Sequence, residues 1–230
     1  MTAKYIQGDI HKVIKEIKDN SIDLIYTNPP YGTTNKKWDT PLDWKNLWID
    51  IWRVVKPNGI VVLHAAKPFS YKLIQTQMPK YNYTWVKNNS TGFFNAKHQP
   101  LRQCEEIYVY YKNTPCTYNP QMKGTTKYKN TFSGKSNYYG NIDGKKKAPQ
   151  GYHIGKYPTD LLEFKIKVRG GKTIPDEMIE YFIKTYSNEG ETVLDMTTHN
   201  TVVGNVVKSL GRNFIGVDLL PISAATADSI

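Results

Sequence analysis

Asp23-Leu24-Ile25-Tyr26-Thr27-Asn28-Pro29-Pro30-Tyr31-Gly32 is an apolar run that stops at an amide, two prolines and an aromatic ring. The run reads as a buried strand. Proline cannot donate to a ladder, so the strand ends here and its tip becomes a rigid corner. At the carboxyl end of a parallel strand, such a corner lies where open α/β sheets take their ligands. Asn28 offers a carbonyl oxygen to a planar amine. Pro29 and Pro30 offer main-chain carbonyls that regular structure does not absorb, and Tyr31 offers a ring face. Together they can trap an exocyclic NH2 on a flat ring.

Around this corner, strand and helix patterns alternate. Lys4–Gly8 reads as a strand running into Gly8-Asp9, and Val13, Ile14 and Ile17 mark a helix over His11–Lys18. Leu47, Ile51, Val54 and Val55 mark a second helix, with a stop signal at Lys56-Pro57-Asn58-Gly59. Ile60–Leu63 has the unbroken apolar content of a strand buried on both faces. Pro68–Gln77 reads as a helix, and Tyr83–Lys87 and Glu106–Tyr111 as strands. Later, Pro175 is expected at the first helical position, before the stripe Met178, Ile179, Phe182 and Ile183. This alternation predicts right-handed βαβ units and a doubly wound, mostly parallel α/β sheet.

From Asn113 to Asp160 the alternation dissolves. That stretch holds 8 Lys, 6 Tyr and only 2 acids, and Lys145-Lys146-Lys147 is its densest charge run. Three regions follow: 1–112, an inserted region 113–160, and 161–230. The chain of 230 residues carries a net charge of +11, which favours a polyanionic partner. A Lys- and Asn-rich coding background gives the same charge with no partner. Two cysteines, Cys104 and Cys116, without a CxxC spacing argue against a disulfide framework or a zinc site. No apolar stretch reaches membrane-spanning length, and Met1-Thr2-Ala3-Lys4-Tyr5 lacks a signal-peptide core, so a reducing cytoplasmic setting is expected.

The C-terminal part supplies a second constellation. A strand Thr192–Leu194 ends at Asp195, a helix covers about Val203–Leu210, and a strand Phe214–Val217 ends at Asp218. An acid at the end of the second strand of such a unit is how α/β folds hold a ribose, although Asp218 can equally cap a turn.

In this order the pieces resemble the amino-methyltransferases of DNA, the N6-adenine and N4-cytosine enzymes found in restriction-modification, in their permuted β-type arrangement. The resemblance runs over nearly the whole chain. It rests on Gly8-Asp9, Asn28-Pro29-Pro30-Tyr31-Gly32, Arg53-Val54-Val55-Lys56-Pro57-Asn58-Gly59 and Thr91-Gly92-Phe93-Phe94-Asn95-Ala96-Lys97. Gln99-Pro100-Leu101-Arg102, Asn188–Asp195 and Gly211–Asp218 complete it. Asn-Pro-Pro-Tyr alone is shared with protein-glutamine and some RNA methyltransferases, whereas the ordered set is far more specific.

The resemblance implies the seven-stranded methyltransferase sheet with its last strand antiparallel, and S-adenosylmethionine as cofactor. By it, Asp9 takes the cofactor's adenine amine and Asp218 its ribose. Asp195, Thr197, His199 and either Lys172 or Thr173 lie on the cofactor's polar side. Asn28 and the Pro29 carbonyl, with Pro30 shaping the corner, accept from the target amine while Tyr31 stacks on a flipped base. Region 113–160 becomes the target-recognition region, with Lys127, Lys129, Lys135, Lys145, Lys146 and Lys147 on phosphates and Tyr138 and Tyr139 stacking on or replacing the extruded base. No metal and no cysteine intermediate is needed. DNA is the implied partner, and a homodimer or a heteromeric partner subunit stays open.

The chain departs from the family pattern in four places. Asn28 stands where Asp or Ser is usual. His199 and Thr201 replace two glycines of the cofactor loop, where a missing Cβ and φ > 0 are used; Asn200 is the residue there suited to a left-handed turn. Gly170-Gly171-Lys172-Thr173-Ile174-Pro175 replaces a His-Pro-Thr-Gln-Lys-Pro-like run, and Cys104 replaces a His. Two readings follow: an active methyltransferase, for adenine N6 ahead of cytosine N4 because the motif ends in Tyr, or a non-catalytic DNA-binding relative with an altered cofactor loop.

Overall fold

Ile22–Thr27 is buried at all of its positions. A strand shielded on both faces needs a strand on each side and helices above and below. A computed structural model, which describes residues 1–129, 151–166 and 174–222, supplies both. In chain order the strands are β1 (Ala3–Gln7), β2 (Ile22–Thr27), β3 (Val55–Ala65), β4 (Tyr81–Thr91) and β5 (Arg102–Tyr111). They continue as β6 (Lys123–Lys129), β7 (Tyr152–Lys156), β8 (Leu161–Leu162), β9 (Thr192–Asp195) and β10 (Asn213–Asp218). The helices are α1 (Ile10–Glu16), α2 (Trp44–Val54), α3 (Phe69–Thr76), α4 (Asp176–Tyr186) and α5 (Val202–Ser209).

The main sheet runs β1-β10-β9-β2-β3-β5-β4-β8. Its members are parallel except β5, which runs against β3 and β4. The single strand that opposes the rest is Arg102–Tyr111, in the interior of the chain, and the two-residue β8 adds an eighth strand to the expected seven.

Period-2 alternation splits the core into two layers. Ile25, Val61, Leu63 and Leu194 meet α1, α2 and α3, with Trp44, Leu47, Trp48, Ile51 and Phe69 filling that layer. Leu24, Tyr26, Val62 and Val193 meet α4 and α5, through Met178, Phe182, Ile183, Tyr186 and Val207.

Several boundaries moved from their sequence-based positions. Helix α2 does stop at Val54, but Lys56-Pro57-Asn58-Gly59 is looped out within β3. Ile22 pairs with Val55 and Leu24 with Ile60, so four residues face Asp23 alone. Lys56 Nζ bonds Asp23 Oδ1 at 2.7 Å, and a Cβ on Gly59 would lie 2.9 Å from the Asp23 carbonyl. Pro175 is the cap before α4 rather than its first residue, because its ψ of 138° is extended. Arg53 donates to the Ile14 and Ile17 carbonyls and to Asp19, closing the end of α1.

The described chain divides into two compact units. One joins Met1–Asn119 to the described part of Asp160–Ile230, and the other is the described part of Pro120–Thr159. Residues 113–119 thus belong with the main sheet, where Asn119 N donates to the Thr185 carbonyl at 2.7 Å. In the smaller unit β6 and β7 form an antiparallel ribbon. Tyr128 stacks on His153 there, and Lys127 Nζ lies 4.4 Å from the Tyr152 ring centre. Among the described residues no helix is long and apolar enough to cross a membrane.

One position tests the packing of the C-terminal layer. Gly204 is buried inside α5, and a Cβ there would meet Tyr5 Oη and lie 2.7 Å from the Phe214 ring. Alanine gains about 1 kcal/mol of helix propensity, against roughly 1–3 kcal/mol for overpacking. Gly204→Ala is therefore expected to lower the urea unfolding midpoint. An unchanged or higher midpoint would show that Tyr5 and Phe214 yield freely.

Candidate active site

Parallel pairing brings four chain-distant carboxyl ends into one row. Among the neighbours β1, β10, β9 and β2, β10 and β9 end on Asp218 and Asp195, while Asp9 lies two residues past β1 and Asn28 one residue past β2. From β9 the chain advances to β10 on one side, while β2 advances to β3 on the other. Strand order thus diverges between β9 and β2, the place where open α/β sheets bind ligands.

The corner is rigid. Pro29 is buried, Pro30 and Tyr31 are half-buried, and Asn28 is exposed. Tyr31 Oη donates to Asn28 Oδ1 at 2.8 Å. Burial, and then the charge of Glu105, push the Tyr31 phenol well above its ordinary value, so it stays a donor. The Tyr31 ring stacks on Phe69 at 5.1 Å and 17°. One of its faces is therefore already covered, which the sequence did not reveal.

Asp39 lies behind the corner, 6% exposed. Its Oδ1 accepts from the backbone N–H of Tyr31 and Gly32, each at 2.8 Å. Its Oδ2 accepts from Thr33 at 2.8 Å and Thr34 at 2.7 Å. Burial alone raises a carboxyl, but the donations from Gly32, Thr34 and Thr33 outweigh it and hold Asp39 below the usual carboxylate range.

On the other side, His199 N donates to Asp218 Oδ2 at 2.9 Å, and Leu220 N to Asp218 Oδ1 at 2.8 Å. Asp9 caps α1 by accepting from His11 N at 2.9 Å. A carboxylate has about four acceptor positions, so both retain capacity for the hydroxyls and amine of a nucleoside. The residues present fit such a group. The left-handed turn falls on His199, with φ of 48°, and not on Asn200. The Asp218 bond to its backbone N–H holds it there.

Asp195, expected to face a ligand, is buried instead. Its Oδ1 accepts from Thr27 Oγ1 at 3.1 Å and from Thr197 N at 3.2 Å. Thr197 Oγ1 in turn donates to the Asn28 carbonyl at 3.3 Å. The segment Thr197–His199 therefore touches both the amine corner and the Asp218 carboxylate.

Lys172, Thr173, Lys135, Tyr138, Tyr139, Lys145, Lys146 and Lys147 lie outside the described residues. Lys127 and Lys129 alternate on β6 and pair with Ile154 and Tyr152, which places these four residues on one face of the ribbon. Tyr152 and Ile154 are exposed.

Sequence reading missed Asp39, Phe69 and Thr27 as parts of this site. Asp39 left a faint signal as the only acid in residues 31–42. Phe69 and Thr27 left none, since each reads as an ordinary element residue.

Burial raises the Asp195 carboxyl from 3.8 to about 7. The folded chain therefore holds more protons than the unfolded chain between those values, and this contribution to stability declines as pH rises through that window. Asp195→Asn should remove that slope. The check is thermal unfolding of both proteins across the window; parallel profiles would mean that Asp195 is ionised throughout.

Comparisons with known proteins agree with this layout. The chain is 25% identical over 244 residues to the type II methyltransferase M.HpaI of Haemophilus parainfluenzae, covering 95% of this chain and 71% of that protein. It is 27% identical over 237 residues to the DNA adenine methyltransferase YhdJ of Escherichia coli, covering 93% and 77%. The PvuII DNA methyltransferase (cytosine-N4-specific) shares the fold, with a TM-score of 0.65 at 13% identity over 96% of this chain and 83% of that one. A DNA methylase family model matches residues 22–222, from the strand before the corner to the residues beyond Asp218. By that match the chain belongs to the N6/N4 DNA methylase family.

Proposed function

We propose that the protein is a site-specific DNA methyltransferase that modifies the exocyclic amine of a flipped base, with adenine N6 as the target. The observation that carries this reading is the Thr197–His199 bridge between the Asn28 carbonyl and Asp218. It sets an amine-accepting corner next to a nucleoside-accepting carboxylate on one sheet edge. S-adenosylmethionine, when bound, supplies an electrophilic sulfonium methyl group. Asp9 and Asp218 hold its nucleoside, and Thr197 and His199 line the same side.

An exocyclic amine conjugated to its ring is a poor nucleophile, because its lone pair is delocalised. The Asn28 amide oxygen and the Pro29 carbonyl accept its two hydrogens. That draws them from the ring plane and makes the nitrogen more sp3-like, freeing the lone pair. Tyr31 stacks on the base while Phe69 backs the ring. Alignment of this kind contributes roughly 7–11 kcal/mol. A base inside a duplex cannot reach the corner, so it is extruded at a cost of about a few kcal/mol.

Lys127 and Lys129 suit phosphate contacts, and the unit Pro120–Thr159, the larger part of region 113–160, is the proposed target-recognition region. Adenine is preferred over cytosine because the motif ends in Tyr31, and the similarity to a DNA adenine methyltransferase supports that choice.

Two measurements test the reading. After incubation of the protein with S-adenosylmethionine and DNA, mass spectrometry of the digested nucleosides should detect N6-methyladenine. N4-methylcytosine in its place would overturn the target, and neither product would overturn the activity. Asn28→Ala is expected to slow transfer by about 10²-fold or more with cofactor affinity unchanged. Equal loss of both would contradict the role of Asn28.

A further inference from the structure

The strongest unassigned feature is the carboxylate of Asp39. Tyr31, Gly32, Thr33 and Thr34 belong to neither helix nor strand, so their N–H groups have no ladder to join. All four donate to Asp39, two to each oxygen, at 2.7 to 2.8 Å. Gly32, Thr33 and Thr34 are exposed, but the Asp39 carboxylate they converge on is buried, and it offers acceptor positions enough for all four N–H groups at once. The loop folds back at Gly32, whose φ is +63°, and the Pro41 ring occupies the space that a Cβ there would need. Asp39 is itself tied down, since its N–H donates to the Lys36 carbonyl at 2.9 Å.

The consequence reaches the proposed chemistry through Tyr31. With its main chain clamped, the Tyr31 side chain is left with the Phe69 stack on its ring and the Asn28 oxygen on its hydroxyl. We propose that Asp39 is a positioning residue for methyl transfer. It holds the loop after the prolines so that the Tyr31 ring and the Asn28 oxygen stay in register with an entering base. This rests on the reading of Asn28–Tyr31 as the amine-binding corner. A neutral amide cannot replace the carboxylate, because the NH2 of an asparagine would point a donor at two other donors.

The test uses the full chain, a duplex carrying its methylation site, and S-adenosylmethionine. Asp39→Asn is expected to lower kcat by about 10²-fold, the cost of misplacing a reacting group by roughly 1 Å. KM for the cofactor should be unchanged and the melting transition cooperative. A role confined to general stability predicts the opposite pattern: a lower melting temperature with wild-type kcat in the folded fraction, which would overturn the proposal. If Asp39→Asn does not fold, Asp39→Glu takes its place, keeping the charge while moving it by one methylene. Its kcat should fall by more than about tenfold at unchanged KM. Wild-type kcat in that variant would overturn the clamp. An inactive wild-type protein removes the corner reading and the clamp with it, whereas an active wild type with an equally active Asp39→Asn removes the clamp alone.

Discussion

Strand β2 is buried along its whole length and hydrogen-bonded to β3 on one side and β9 on the other. A one-residue slip would exchange Leu24 and Tyr26 with Ile25 and Thr27 between two layers that are both filled. The register therefore locks the point at which the strand ends, and the two prolines turn that end into a fixed corner. The packing of residues well inside the sheet fixes where the Asn28 backbone leaves the strand, and its side-chain oxygen is then met by the Tyr31 hydroxyl of the following loop.

The same strand carries the tie between the two halves of the site. Thr27 lies 168 residues from Asp195 in sequence, yet their side chains bond at 3.1 Å because β2 and β9 are neighbours. The Thr27 hydroxyl also accepts from Met196 N at 2.9 Å, which sets the course of the loop after β9. At the opposite end of the strand, Asp23 repeats the arrangement. It accepts from Thr192 N at 3.0 Å and from Lys56 at 2.7 Å, binding β2 to both neighbours. Polar groups buried at both ends of an apolar strand thus place the loops that the site uses.

The loop after β9 makes a family feature with different residues. Glycines favour left-handed turns because they carry no Cβ. Here His199 takes that conformation, and the Asp218 carboxylate accepts its N–H. The acid that the resemblance links to a ribose therefore also supports the backbone that lies beside it. Its two bonds to main-chain N–H groups leave acceptor positions free, so the two tasks are compatible.

Much of this was legible in the chain itself. The runs Asp23–Thr27 and Thr192–Leu194 marked strands, the first of them buried, Ile60–Leu63 marked a strand buried on both faces, and the 3.6-residue stripes between them marked helices. Motif order further identified Asn28, Asp195 and Asp218 as strand-end residues. These features are local, since periodicity and prolines act within a few residues. Other features depended on contacts between distant segments. Which strand opposes the sheet, that Asp195 turns inward to Thr27, that Phe69 covers one face of Tyr31, and that Asp39 gathers four N–H groups follow from pairings no local pattern encodes. The sequence by itself determined the elements and the chemistry available at their ends. Tertiary structure decided which ends meet, because that depends on strand order and on the burial of polar groups that must then find partners across the sheet.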